Sequence, residues 1–387
     1  MRVAVVGSGG REHALRHVLG RTAQVVGPGD DADLYVIGPE QPLVDGEADR
    51  LRAAGKLVFG PGADGARLEG SKAYMKQVLA DAGVPTARHG VFTDLEPAVR
   101  FLTSLPGLYV VKTDGLAAGK GVFVTESLDE AVEDVAAKLA GSAFGPAGRT
   151  VVIEEGLTGP ELSLLAVCDG RRAMALAPAR DYKRVGDGDA GPNTGGMGAY
   201  SPVADAGPDV VDEVMAKAVE PTLAALRSAG IDYRGVLYTG LMLTPEGPKV
   251  IEYNVRFGDP EAQVVLPRFA GDLAAFLAAA AAGDLRTEPT FTDQACVCVV
   301  LAVDGYPATP RVGDVVSGID EAEALDGVLV FRAGVATDDR GRAVTAGGRV
   351  LDVCAVAPTL AEARARAYEA AALISFPGVH YRKDIAA

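Results

Sequence analysis

The sequence contains no tryptophan, four cysteines and four histidines among 387 residues, with 11 tyrosines and 11 phenylalanines. Four cysteines cannot staple a chain of this length, and their scarcity fits a reducing compartment. Positive charge is also in short supply. There are 37 Lys and Arg against 52 Asp and Glu, a net charge of −15. A nucleic-acid or anionic-membrane surface needs clustered cations, so neither is expected as a partner. Long apolar runs are missing. Met1–Val6 is too short for a signal-peptide core, and glycines follow where a cleavage region would stand. The most apolar helix candidate, Ala274–Ala282, stops at Gly283-Asp284, below the roughly 18 apolar residues of a membrane span. A soluble, cytoplasmic protein is expected.

Glycine is abundant. Its 48 residues make about 12% of the chain, against a usual share of about 7%. Either tight turns are many, or backbone approaches ligands closely in several places. Hydrophobic content of 48% and charged content of 23% exclude disorder as the main state. The length allows two to four domains, each large enough to bury a core.

Strand and helix alternate at the start, which suggests a parallel α/β sheet. Val3–Val6, Ala23–Val26, Leu34–Ile37 and Leu57–Phe59 read as strands. Arg11–Leu19, Leu43–Ala54 and Lys72–Ala82 read as helices, the last capped by Ser71. Only seven residues, Gly27 to Asp33, separate the second and third strands. Adjacent parallel strands need a crossover of about a dozen residues or more. The two strands are therefore separated in the sheet, antiparallel, or not both strands.

A smaller unit follows from about Pro85 to Leu157, with strands at Tyr109–Lys112, Val122–Thr125 and Val151–Glu155 and a helix at Leu128–Leu139. Beyond it come strands near Leu162–Val167 and Ala173–Leu176, a polar glycine loop from Asp181 to Tyr200, and a helix over Val210–Ala229. A hairpin pairs Gly235–Leu243 with Lys249–Asn254 across Pro245-Glu246-Gly247, and a helix covers Leu273–Ala282. From Ala295 the chain is strand-rich and closes with a helix at Leu360–Leu373.

Several segments have the residues for chemistry. Gly7-Ser8-Gly9-Gly10-Arg11-Glu12 joins a strand to a helix start, where free N–H groups favour an anion. Glu12 stands where a dinucleotide fingerprint needs its third glycine, so that fingerprint is absent. A plain turn is the alternative. Lys112 and Lys120 flank a glycine-rich turn between two strands, suited to phosphates or to nothing more than solvent. Residues two apart on a strand share a face. Glu252 and Asn254 thus offer two oxygens to one point, a set that suits Mg²⁺. Arg256 follows closely, so a cation and a guanidinium could flank one reacting anion. The loop 181–198 reads as a mobile substrate loop or a surface loop. His13 and His17 lie four apart on a helix with no acidic or cysteine partner near in sequence, which argues against a metal there. Cys296 and Cys298 are taken to face opposite sides of a strand and so to share no zinc. Cys168 and Cys354 read as small core residues.

Together, Lys112–Val122 (KTDGLAAGKGV), Asp181–Gly198 (DYKRVGDGDAGPNTGGMG) and Glu252–Glu261 (EYNVRFGDPE) resemble the phosphoribosylamine–glycine ligase family of ATP-grasp enzymes. Gly7–His13, Gly38-Pro39-Glu40, Leu68–Lys72 and Arg382–Ile385 fit the same family, and the resemblance runs nearly end to end.

The resemblance implies a multidomain fold of mixed α/β and α+β character. It would have a parallel α/β domain over 1–84, an ATP-grasp domain over 85–293 with a mobile lid at about 85–157, and a β-rich domain over 294–387. It implies that ATP phosphorylates the carboxylate of glycine and that 5-phosphoribosylamine attacks the acyl phosphate. The products would be glycinamide ribonucleotide, ADP and phosphate, in purine synthesis. Lys112 and Lys120 would hold ATP phosphates. Glu154, Glu155 and Leu157 would face adenine, and Glu161 the ribose. Glu252 and Asn254 would bind Mg²⁺ or Mn²⁺. Arg256, Lys120 and Asp181 would serve catalysis. Gly9, Gly10, Glu40, Asp181, Thr194, Gly196, Arg256, Gly258 and Asp259 would shape the glycine and phosphoribosylamine pockets. A monomer is expected.

Three departures stand out. The N-terminal domain is short by a strand and a helix before Gly38. Asp30 stands where the family often has Asn, and Tyr182 where many members have His. The alternatives are a paralogous ATP-grasp ligase acting on another amine or amino acid, and a non-catalytic nucleotide-binding protein.

Overall fold

The computed structural model describes residues 1–116, 121–141 and 149–387. Strand β1 (Arg2–Val6) leads through glycines into helix α1 (Gly10–Leu19), then β2 (Gln24–Val26) and β3 (Leu34–Ile37). Both β2 and β3 pair with β1 in parallel, one on each side. The seven-residue connection is possible because the strands are short and staggered. Val26 ends level with Ala4, and Leu34 starts level with Val3. The chain has to travel back by only about one residue, so no helix is needed. Of the three options left by the crossover argument, separation in the sheet is the one found.

The expected helix Leu43–Ala54 divides into α2 (Glu40–Val44) and α3 (Glu47–Ala53). Gly46 between them has φ +84°, a left-handed conformation that ends one helix and starts the next. Strand β4 (Val58–Phe59) completes a four-stranded parallel sheet in the order β2-β1-β3-β4. Helix α4 (Ala63–Gly70) follows, then α5 (Lys72–Asp81), whose cap Ser71 accepts a hydrogen bond from Tyr74 N.

The segment expected as the lid has its own sheet and core. Its elements are β5 (His89–Phe92), α6 (Leu95–Thr103), β6 (Tyr109–Thr113), β7 (Val122–Thr125), α7 (Leu128–Leu139) and β8 (Val151–Glu155). The sheet order is β5-β8-β6-β7, and Leu102, Val111, Val135 and Ile153 pack beneath it, apart from the main core.

The next unit runs β9 (Glu161–Asp169), β10 (Ala173–Ala175), β11 (Arg180–Asp181), β12 (Arg184–Gly186), β13 (Ala190–Asn193), β14 (Gly198–Ser201), α8 (Pro208–Val214), α9 (Glu220–Ser228), β15 (Arg234–Thr244), β16 (Gly247–Asn254), α10 (Ala262–Val265) and α11 (Leu273–Ala282). Between α8 and α9 the helix widens into a π turn over Met215–Val219. Four of the strands form an antiparallel sheet, β10-β9-β15-β16.

The last part holds β17 (Ala295–Ala302), α12 (Ile319–Glu323), β18 (Val328–Arg332), β19 (Val335–Thr337), β20 (Ala343–Thr345), β21 (Arg349–Ala357) and α13 (Leu360–Leu373). Its sheet reaches back across the expected boundary at 294. The order is β11-β14-β17-β21-β18, so both ends of the glycine loop are strands of this sheet. Residues two apart on a strand share a face, so the expectation for Cys296 and Cys298 is corrected. Both lie in one buried cluster with Cys354, which is paired opposite Cys298. All four cysteines are buried and free. No group of three potential metal-ligating side chains occurs among the described residues. No helix among them is long and apolar enough to cross a membrane.

Helix α1 packs on β18 through His13. Its Nδ1 accepts a hydrogen bond from Arg332 N (2.9 Å), and its ring meets Phe331 edge-on at 5.6 Å. An accepting Nδ1 has to be unprotonated. Burial, helped by the charges of Arg332, His17 and Arg16, lowers the His13 pKa to about 4. In the unfolded chain it returns to about 6.5. The unfolded state therefore binds more protons between these values. The contribution is complete above about pH 6.5 and is lost as pH falls toward about 4. His13→Asn should flatten the acid-side loss of thermal stability over that window. An unchanged slope in a melting series would refute this.

Candidate active site

Two cavities meet where the lid, the antiparallel sheet and the glycine loop converge. One, of about 600 Å³, lies between the lid strands (Val110, Val122, Val124) and the sheet (Met242, Ile251). It is a slot with apolar sides. The other, of about 550 Å³, is lined by charged groups from all parts of the chain, among them Arg11, Glu40, Lys72, Arg256 and Arg349. Asp181, Lys183, Asn193, Thr194 and Glu252 line both and so form the common wall.

Glu252 and Asn254 sit on β16, held by the long pairing with β15. Among the described residues the Glu252 carboxylate makes no hydrogen bond and no ion pair. Burial works against its charge. The cations Lys183, Lys112, Lys72 and Arg256 outweigh that, and its pKa stays below the usual carboxylate value. A free ionised carboxylate beside an amide oxygen is a hard-oxygen set that fits Mg²⁺ together with phosphate oxygens and water. Asn254 Oδ1 accepts one hydrogen bond, from Arg256 Nη2 at 3.1 Å, and keeps a lone pair.

Arg256 is fixed on two sides. Nη2 lies 2.7 Å from Glu69 Oε1, and Nε lies 3.2 Å from Glu40 Oε2. Glu69 is fixed in turn by Val255 N, which donates to Oε2 at 2.8 Å. Burial, with Glu40 nearby, raises the Glu69 pKa against the pull of Arg256. Nη1 of Arg256 makes only a long 3.4 Å contact with Phe257 O, so it is the arm left for a ligand.

Lys112 and Glu154 sit on neighbouring lid strands. Glu154 bridges two lysines, Lys112 Nζ at 2.7 Å and Lys76 Nζ at 2.8 Å, in a fully buried triad. Burial, and then the neighbouring Lys112, bring Lys76 down to about 8 despite Glu154. Successive strand residues point to opposite faces. Glu155 accordingly points away from the triad, accepts a hydrogen bond from Arg88 N (2.9 Å) and still lines the slot. Leu157 lines the slot, and Glu161 lines it while pairing with Lys183. Lys120 lies outside the described residues.

Asp181 is buried in the common wall, 3.8 Å from Lys183 Nζ. Burial pushes it up to about 8, and Glu261, Glu161 and Glu252 add to that against the pull of Lys183. Tyr238 donates to Glu261 Oε1 at 2.6 Å behind it. Thr194 lines both cavities, and its hydroxyl bonds Lys183 O at 2.8 Å. Glu40 and Asp259 line the charged cavity.

Gly9, Gly10, Gly196 and Gly258 reach neither cavity. They are places of close packing. A Cβ on Gly10 would fall 1.7 Å from Asp352 Oδ2, and one on Gly196 would fall 2.4 Å from Pro260 Cδ. Their neighbours Arg11 and Gly195 line the cavity instead.

Sequence reasoning assigned no role to Lys72, Lys76, Glu69, Tyr238 or Glu261. It also missed two groups from the C-terminal part. Arg349 Nη2 pairs with Asp259 Oδ2 at 2.9 Å, and its Nη1 donates to Gly195 O at 2.9 Å. Tyr306 OH accepts from Gly195 N at 3.0 Å. The glycine richness around Gly347-Gly348 was the one signal near them.

Comparison with known proteins identifies the family. Residues 70–262 match the phosphoribosylglycinamide synthetase ATP-grasp (A) domain, 296–387 its C domain and 28–69 its N domain. The phosphoribosylamine–glycine ligase of Streptomyces coelicolor is 47% identical over 421 residues, covering 100% of this chain and 99% of the relative. That of Brucella melitensis is 44% identical over 417 residues, covering 100% and 97%. The crystal structure of the Thermotoga maritima phosphoribosylamine–glycine ligase superposes with a TM-score of 0.88 at 35% identity and covers both chains fully. The biotin carboxylase domain of Hydrogenobacter thermophilus 2-oxoglutarate carboxylase shares the fold, with a TM-score of 0.73 at 18% identity over 98% of this chain and 91% of its own. The chain belongs to the phosphoribosylamine–glycine ligase family, ATP-dependent carbon–nitrogen ligases of the ATP-grasp fold.

Proposed function

We propose that the slot takes ATP, that the charged cavity takes glycine and 5-phosphoribosylamine, and that the reaction occurs at their common wall. The observation that carries this is Glu252. Among the described residues it is an unpaired carboxylate that lines both cavities, and four nearby cations favour its ionised form.

Glu252 and Asn254 would hold Mg²⁺ or Mn²⁺, which when bound offsets phosphate charge. Lys112, kept in place by Glu154, meets the ATP phosphates at the inner end of the slot, and Lys120 is assigned to the same task by resemblance. The backbone of Glu154 to Leu157 faces adenine, and Glu161 the ribose. Arg256 aims Nη1 at the forming acyl phosphate, where oriented charge is typically the largest catalytic contribution. Asp181 and Thr194 hold the wall, while Glu40 and Asp259 hold the guanidinium groups that meet the substrates. Gly9, Gly10, Gly196 and Gly258 let the loops close against each other. A monomer is the proposed working unit.

The aligned length of 421 residues with the Streptomyces relative exceeds the 387 here by 34, in keeping with a short N-terminal domain. None of residues 27–33 lines either cavity. The short connection therefore leaves the described walls intact, which favours the family reaction over another amine.

Purified protein should release phosphate when ATP, Mg²⁺, glycine and freshly prepared phosphoribosylamine are all present. Background release with this set, but release with another amine or amino acid, would contradict the proposal.

A further inference from the structure

Arg382 is 1% exposed although it lies only five residues before the last residue of the sequence. Its guanidinium makes four hydrogen bonds. Nη1 donates to Asp189 Oδ1 at 2.7 Å and to Arg184 O at 3.1 Å. Nε and Nη2 grip both oxygens of Asp384 at 2.7 and 2.6 Å. The group also lies over the Tyr182 ring, 4.8 Å from its centre. Around it the segment 380–386 makes a second set of bonds to the same loop. Asp384 Oδ2 accepts from Gly188 N (2.8 Å), Asp187 Oδ1 accepts from Lys383 N (2.7 Å), and Tyr182 OH accepts from Ala386 N (2.9 Å). Asp189 is held at φ +55°, a left-handed conformation that costs a side-chain-bearing residue energy unless its surroundings impose it.

The loop so gripped, 182–191, carries at its two ends the residues of the wall between the cavities, Asp181 and Lys183 on one side and Asn193 and Thr194 on the other. Lys183 O receives both Thr194 N (2.7 Å) and the Thr194 hydroxyl (2.8 Å). A shift of the loop tip is thereby passed to both sides of the wall.

We propose that Arg382, with Asp384 and Asp189, is a positioning residue for the ligase reaction, clasping loop 182–191 so that the wall shared by the two cavities keeps its shape. This rests on the function proposed above, because it assumes that the wall separates ATP from the other substrates. A guanidinium is required. Only a planar fork can hold Asp384 by two bonds and still reach Asp189 and Arg184 O.

The test compares wild type with Arg382→Ala and Arg382→Lys by amide hydrogen exchange and by steady-state kinetics. In Arg382→Ala, exchange at 182–191 should accelerate on the order of tenfold or more, while the β17 and β21 amides hold. KM for ATP and for glycine should rise on the order of tenfold, with a smaller fall in kcat. Added guanidinium ion should restore part of the loss, and Arg382→Lys should be intermediate. Asp189→Asn, which keeps the acceptor oxygen and removes only the charge of an exposed partner, should act in the same direction and more weakly if Arg382→Ala does not fold. Unchanged exchange at 182–191, or unchanged KM values with only a lower melting point, would overturn the proposal. If wild type shows no glycine-dependent turnover, the functional reading fails instead, and the exchange data still decide the clasp.

Discussion

Glu252→Gln should lower kcat on the order of 10³-fold, with the melting temperature within roughly 4 °C of wild type. The glutamine keeps the shape of the side chain and removes the charge. Among the described residues that carboxylate holds no partner in place, so little packing depends on it. What depends on it is the balance at the common wall. Lys183, Lys112, Lys72 and Arg256 all bear on it. Without it, Mg²⁺ loses its one carboxylate from β16, and Asn254 alone is a poor cation site. A loss of several kcal/mol of transition-state stabilisation corresponds to about three powers of ten. ATP binding measured without a divalent cation should be unaffected or stronger. A rate within a few-fold of wild type would refute the metal assignment and reopen the non-catalytic reading.

Arg256 gives the second large effect. Arg256→Ala would leave Glu69 buried without its cation, with Glu40 nearby and a raised pKa, a loss of about 3–5 kcal/mol for a broken buried pair. The folded fraction of that variant would then confuse any rate. Arg256→Lys separates the two effects. One ammonium can meet Glu69 or Glu40, but it has no third arm for the acyl phosphate. It should fold, and its kcat should fall on the order of 10²–10³-fold with KM for ATP nearly unchanged. If KM for ATP rises instead while kcat holds, Arg256 serves ground-state nucleotide binding and its catalytic role is wrong.

Where a local rule was enough, the fold was legible. Ser71 before an apolar-periodic run marked helix α5, Pro245-Glu246-Gly247 marked the hairpin turn, and the spacing of Glu252 and Asn254 put both oxygens on one face. The seven residues after Val26 excluded adjacent parallel strands, and the sheet order agrees. Local rules failed where distant segments decide. The strand β5 and helix α4 carry too few apolar residues to show a period, and they form because neighbours cover them. Helix α6 (Leu95–Thr103) does carry an apolar face, with Ala98 and Leu102 buried, and was overlooked. Strand β14 belongs to the C-terminal sheet only through its pairing with β17. Arg349 and Tyr306 meet Gly195 across more than 100 residues of chain, and no spacing reveals that. Cys296 and Cys298 were misjudged by a rule applied correctly to Glu252 and Asn254.

The glycine content is also explained by position. Gly10 and Gly196 allow contacts between segments that no Cβ would permit. The cations, scarce overall, gather where those segments meet. Lys72, Lys112, Lys183, Arg256 and Arg349 surround the two cavities of a protein whose net charge is −15.

The most direct measurement follows oxygen. Glycine labelled with oxygen-18 in both carboxylate positions is incubated with the enzyme, ATP, Mg²⁺ and phosphoribosylamine, and the released phosphate is weighed by mass spectrometry. A carboxylate oxygen attacks the γ-phosphorus as ADP leaves. The amine then attacks the acyl carbon, and phosphate departs with that oxygen. One oxygen-18 per phosphate is the predicted result, with the other retained in the amide. Unlabelled phosphate released in step with amide formation would contradict the acyl-phosphate route.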